Sequence, residues 1–307
     1  MLSDLSGLLT CPVCGLSLRP SAAPGSGTAS GPGSARTAPS ALRCGSGHSF
    51  DVARQGYVNL MTGHARPGTA DTAEMVVARR AFLAAGHYAP LAGAVASLAA
   101  GAVPSAGAGA ARPLVLDAGA GTGYYLAAVL DRLRAVGGYG ETAGLALDVS
   151  VRALRWAARA HPAAGAVGWD VWKPFPVRDG VASVVLNVFA PRNGPEFRRV
   201  LRDDGALIVV TPGPGHLAEL VRDAGLLTVD ERKDERLSAT VGEHFSRISQ
   251  RDVSIALRLP RTGAAMLAGM GPSARHAGPD EIAARMAALA EPVSVTAAFR
   301  VSLYRPR

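Results

Sequence analysis

Past residue 112 the chain alternates short apolar runs with stretches whose apolar positions recur every three or four residues, the pattern of buried strands between covering helices. PLVLDAGAGTGYYLAAVL (113–130) reads as a strand, a glycine turn and an amphipathic helix, and AGLALDVS (143–150) as the next strand. AVGWDV (166–171), VASVVLNVFAP (181–191) and GALIVVTPG (205–213) continue the series, with helices expected over Val151–His161, Glu196–Arg202 and His216–Ala224. VSVTAAFRVSLY (293–304) alternates with period two and suits an antiparallel edge strand. This order predicts an α/β fold whose doubly wound, Rossmann-like sheet runs to the C-terminus.

The first sixty residues follow no such rhythm. CPVCGLSLRP (11–20) and LRCGSGHSFD (42–51) together give Cys11-x2-Cys14-x29-Cys44-x3-His48. Two close pairs on separate knuckles suit a tetrahedral Zn²⁺ held by three thiolates and an imidazole, and a shell closed by four protein ligands makes the metal structural. A redox CxxC or unpaired thiols are the alternatives; no βαβ unit surrounds the pair, and neither explains the Gly and His that follow Cys44. Between the pairs, every residue from Pro20 to Ala41 except Arg36 is Pro, Gly, Ser, Ala or Thr, which predicts a mobile insertion over 20–41 with no core of its own.

Composition sets the surroundings. With 307 residues and 48% hydrophobic content the chain can build one large α/β domain and a smaller module. The Ala/Gly-rich run after Leu91 breaks at Pro104, and no Lys or Arg precedes Arg19, so neither a membrane span nor a secretory leader is expected; the cytoplasm is. The formal charge of +8 is nearly all arginine, with Lys only at Lys173 and Lys233. Arginine's planar fork suits phosphate, but a GC-rich genome produces the same bias, so a polyanionic partner is permitted and not shown.

The glycines of the turn, Gly119, Gly121 and Gly123, follow Asp117 with a GxGxG spacing, tighter than the GxGxxG of a dinucleotide fold. An acid before the glycines, a backbone that a ligand can approach closely, and a second acid, Asp148, ending the next strand fit S-adenosylmethionine, with Asp148 accepting the ribose hydroxyls. The competing reading is a plain βαβ turn in which Asp148 caps the helix that begins near Ser150. Asp170, at the end of the third strand, is expected near the adenine, or else is an exposed loop acid.

CGSGHSFDVARQGYVNL, AEMVVARRAFLAAGHYAPL, DAGAGTGYY and TPGPGHLAEL, in that order, resemble the 23S rRNA (guanine-N1)-methyltransferase family, and its actinomycete branch that protects antibiotic producers against tylosin-type macrolides. The resemblance implies a zinc-ribbon domain that helps recognise a hairpin of 23S rRNA, a class I methyltransferase sheet, and often a homodimer. It implies cofactor contacts at Tyr88, Gly121, Thr122 and His216. The expected division is a zinc-binding module over 1–60, a helical connector over 61–111 and the S-adenosylmethionine-dependent domain over 112–307. Read without the family, Tyr88 is a core aromatic and His216 the N-terminal residue of a helix.

Other residues carry paired readings. Arg79 and Arg80 are a solvated helix face or phosphate contacts, and DERKDER (230–236) is a salt-bridged surface. Asn187 either hydrogen-bonds a flipped guanine or satisfies a strand end. The expected chemistry is methyl transfer to N1 of an extruded guanine, with Asp170, His216 or solvent taking the proton. The rivals are a small-molecule methyltransferase and a zinc-bearing rRNA assembly factor without catalysis.

Overall fold

The computed structural model describes residues 2–21, 40–63, 70–103, 112–137, 141–226 and 240–307. Most of the 20–41 insertion, Pro104 and the 230–236 stretch lie outside the described residues. The ends of the insertion are ordered more than their composition suggests. Strand β1 (Arg19–Ser21) pairs antiparallel with β2 (Ala41–Arg43), so Pro20 and Ser21 lie opposite Leu42 and Ala41, and β3 (Ser49–Asp51) completes a three-stranded sheet. Backbone pairing needs no large side chains, which is why composition missed it.

The remaining strands form one eight-stranded sheet: β4 (Tyr57–Asn59), β5 (Leu114–Ala118), β6 (Ala143–Asp148), β7 (Ala164–Gly168), β8 (Ala182–Val188), β9 (Leu201–Pro212), β10 (Phe245–Leu259) and β11 (Val293–Pro306). Their spatial order is β10-β11-β9-β8-β5-β6-β7-β4. Neighbours from β9 to β4 are parallel, while β11 runs antiparallel to both β9 and β10. The chain leaves β5 toward β6 on one side and returns to β8 on the other, so a switch point opens beyond the C-terminal ends of β5 and β8, where doubly wound sheets bind ligands.

Two expectations need correction. β11 is not an edge strand, because β10 lies outside it along its whole length. β10 escapes a sequence reading because residues 246–252 are exposed on both faces, and apolar alternation emerges only at Val253, Ile255, Leu257 and Leu259. The division at residue 60 also cuts just beyond β4, which pairs with β7 in the large sheet.

Helix α1 (Leu2–Leu5) precedes the knuckles; α2 (Ala73–Ala84), α3 (Ala89–Ala102), α4 (Tyr124–Val136), α5 (Val151–Ala160), α6 (Gly194–Val200) and α7 (Ala218–Ala224) follow, with α8 (Arg261–Gly269) and α9 (Pro279–Ala287) between β10 and β11. Alternation along the strands sorts their side chains into two layers. Val115, Val184, Leu186, Ile208 and Phe299 pack with Leu91, Val95, Leu126 and Val129 of α3 and α4. Leu114, Leu116, Val185 and Leu207 face the other way and pack in one cluster with Leu5, Leu9, Leu18, Leu42 and Val58, so the N-terminal segment covers one face of the sheet. Among the described residues no single helix is long and apolar enough to cross a membrane; α2 and α3 meet at 81°.

Candidate active site and metal centre

Cys11, Cys14, Cys44 and His48 come together, their ligand atoms all within 4.8 Å of one another. Cys44 Sγ is 3.3 Å and Cys11 Sγ 3.6 Å from His48 Nδ1, and Cys14 Sγ is 3.6 Å from Cys44 Sγ. Ligands about 2.3 Å from a tetrahedral Zn²⁺ stand roughly 3.7 Å apart, so the cluster has the size the metal requires. The turns after each pair supply N–H groups as well. The backbone N–H of Leu16, ahead of smaller contributions, holds the Cys14 thiol down to about 6 and favours the thiolate a metal takes. Cys11 and Cys44 are buried against the layer that contains Leu9, Leu18 and Leu42, which anchors the knuckles to the sheet.

At the switch point, the turn between β5 and α4 holds Gly119, Gly121 and Gly123 at φ of 86°, 54° and 80°, the left-handed region that glycine adopts without a Cβ penalty. A Cβ on Gly119 would meet that of Ala190 at 2.3 Å, so the turn lies against the segment that follows β8. Asp148 ties the crook together: Oδ2 accepts the Gly121 N–H at 2.7 Å, and Oδ1 accepts that of Ser150 at 2.7 Å. Its carboxylate therefore serves both the glycine turn and the start of α5, while Ser150 itself caps the helix through the N–H of Ala153.

Asp117 is 1% exposed, and its Oδ1 has no hydrogen-bond partner among the described residues; the buried Tyr125 hydroxyl is in the same condition. Burial first, and the Asp148 carboxylate second, push Asp117 up to about 8. A buried acceptor without a donor is costly unless a ligand supplies one. A ligand with cationic or N–H and O–H donors fits this crook, and S-adenosylmethionine carries a sulfonium, an ammonium and two ribose hydroxyls.

A family model, the N-terminal zinc ribbon of RlmA, matches residues 35–66, which hold the second knuckle. A Micromonospora griseorubida protein, provisionally named a 23S rRNA (guanine-N1)-methyltransferase, is 53% identical across 99% of both chains. The 23S rRNA (guanine(748)-N1)-methyltransferase of Streptomyces fradiae is 46% identical over 88% of this chain and 93% of its own. The chain belongs to the 23S rRNA (guanine-N1)-methyltransferase family. A Bacillus subtilis relative, with a provisional name of the same kind, is 32% identical over 70% of this chain and 72% of its own.

Two of the residues that the family resemblance singles out, Tyr88 and His216, lie around one aromatic cluster. Tyr88, 2% exposed, packs edge-on against Phe82 and Phe299 with centroids at 5.0 and 4.9 Å, so the core-aromatic reading describes its surroundings as well. His216 is partly buried against Phe299 at 4.9 Å, and its Nδ1–H donates to the Ala298 carbonyl at 2.8 Å, which leaves Nε2 as an acceptor. Burial lowers its pKa and keeps the ring neutral. Thr122 is buried between Gly121 and Gly123.

Several expectations about individual side chains change. The Asn187 amide is fully buried; its Nδ2 donates to the carbonyls of Ala118 and Pro191 at 3.2 and 2.8 Å and braces β5 against the end of β8, while its Oδ1 has no partner among the described residues. Asp170 is buried, not an exposed loop acid; Oδ1 accepts the Trp172 N–H at 3.0 Å and closes the turn after β7. Arg79 is not a free solvated face: partly buried, it pairs with Asp71, donates to the Met270 carbonyl at 2.9 Å and lies over Gly121. Arg80 stacks on the half-exposed Trp156 ring at 3.7 Å. Sequence reasoning missed Phe189, which is 45% exposed directly after β8 with φ 54°. Its signal was present in the NVFAP run, but alternation alone does not show which residue leaves the strand.

Proposed function

We propose that this chain transfers the methyl group of S-adenosylmethionine to N1 of a guanine in a hairpin of 23S rRNA, and that the methyl group confers resistance to tylosin-type macrolides. The observation that carries the reading is the crook itself: a carboxylate tied to Gly121, beside a second, buried carboxyl whose Oδ1 has no partner among the described residues, at a switch point. It stands in a chain 53% identical along its length to a relative named for this reaction. The zinc knuckles are structural and grip the RNA, the protein acts in the cytoplasm, and two copies associate.

In this reading Asp148 receives the ribose hydroxyls, Gly119, Gly121, Thr122 and Gly123 line the methionine portion, and Asp117 receives a cationic donor. Tyr88 and His216 close the crook through the Phe299 cluster. Bound there, S-adenosylmethionine supplies an electrophilic methyl on a leaving group that is already good. The chain's task is alignment, because in-line displacement needs N1 at near-attack distance. N1 lies on the Watson–Crick edge, so the guanine is unpaired or extruded before it is aligned. Its proton must depart, and of the side chains considered His216 keeps a neutral acceptor whereas Asp170 is committed to its own turn.

The test is incubation of the zinc-loaded protein with radiolabelled S-adenosylmethionine and unmethylated 23S rRNA, then mapping of primer-extension stops. A labelled guanine with a stop supports the reading, and position 748, for which the Streptomyces fradiae relative is named, is the first to examine. RNA binding without label identifies an assembly factor, and label only in a drug-like acceptor identifies a small-molecule enzyme.

A further inference from the structure

We infer that the Phe189 ring is the platform on which the target guanine stacks, an inference that rests on the activity proposed above. Phe189 follows β8 at the switch point, one residue before Ala190, which lies against Gly119 of the cofactor crook. Its ring packs against Phe299 at 5.5 Å and Tyr125 at 6.3 Å, yet the residue is 45% exposed, whereas those two are buried. An aromatic surface backed by a rigid cluster and open to solvent beside the methyl donor suits a purine face, because base stacking needs a π-surface and little else.

The backbone supports the same conclusion. Among the described residues only Phe189 and Leu217 are non-glycine residues with positive φ, at 54° and 56°. Both border one cluster, since Leu217 follows His216 and both His216 and Phe189 contact Phe299. Strained conformations persist where the surrounding structure enforces them, and they gather at functional sites. Here the strain places an aromatic ring at the mouth of the crook, while the buried Asn187 amide, two residues earlier, fixes the segment by bonds to Ala118 and Pro191.

The experiment is single-turnover methyl transfer to a 23S rRNA transcript by full-length variants, with S-adenosylmethionine affinity measured by calorimetry and Tm followed for each. Phe189→Tyr and Phe189→Trp are expected to stay within about threefold of the wild-type rate, while Phe189→Leu loses roughly 10- to 100-fold. Phe189→Gly removes the ring and relieves the backbone at φ 54°, so it should hold or raise Tm while transfer falls as in the leucine variant. Wild-type transfer by Phe189→Leu overturns the inference. So does a parallel loss of cofactor affinity and transfer, which makes the ring a wall of the cofactor site instead. If the wild-type protein labels no guanine, the activity itself fails and this inference with it.

Discussion

Asp117 sets the first expectation at the scale of single residues. A carboxyl raised to about 8 is neutral in the free protein near pH 7, so its contribution to stability is full at acid pH and is lost as pH rises through that value. A cationic donor arriving beside it favours the ionised form, so binding of S-adenosylmethionine should expel a proton and grow tighter as pH rises toward 8. Calorimetry at pH 6 to 8 in buffers of different ionisation heat reads the proton directly. Asp117→Asn should abolish the buffer dependence, and a binding heat that ignores the buffer in the wild-type protein would refute the assignment. Gly119→Ala would drive its Cβ into that of Ala190 and strain φ 86°; cofactor affinity is expected to fall at least tenfold by the same assay.

At this scale the sequence showed Asp117, the glycines and Asp148, because their spacing within one strand-turn-helix-strand unit is itself the chemistry. It did not separate Asn187 from Phe189, because two neighbours at the end of a strand differ in burial only through what packs on each side.

Among the elements, the two cysteine knuckles depend on their metal. Cys44→Ser should lower bound zinc well below one equivalent by mass spectrometry, lower Tm and reduce rRNA methylation, while leaving S-adenosylmethionine affinity within about threefold, since the crook is built on β5 and β6. Helix α2, whose Arg79 lies over Gly121, starts at Thr72, whose hydroxyl accepts the Met75 N–H at 3.2 Å; Thr72→Ala should cost about 1 kcal/mol, seen as a lower Tm. The parallel strands β5 to β9 were legible because burial on both faces leaves continuous apolar runs. β10 was not, since most of its length is exposed and its pairing with β11 is a long-range backbone event that no local pattern records.

For the molecule as a whole, the zinc module and the large sheet share structure. β4 extends the sheet beside β7, and Leu5, Leu9, Leu18 and Leu42 fill one of its two apolar layers. A chain starting at residue 61 is therefore expected to lose cooperative unfolding and soluble yield, measured by circular dichroism and expression, whereas the full chain unfolds in a single transition. Two independent transitions in the full chain would refute this. Zinc ligands and sheet strands could each be read from the sequence, but their fusion could not, because three residues of β4 carry no signal of which sheet they join.

That fusion has a mechanical consequence. Hydrogen bonds run without interruption from β4 through β7 to β6, and β6 ends at Asp148 beside the glycine turn. If the amino-terminal fingers hold RNA, as proposed above, the protein works as a ruler: the distance from the held nucleotides to the methylated base is set by the width of the three strands β4, β7 and β6.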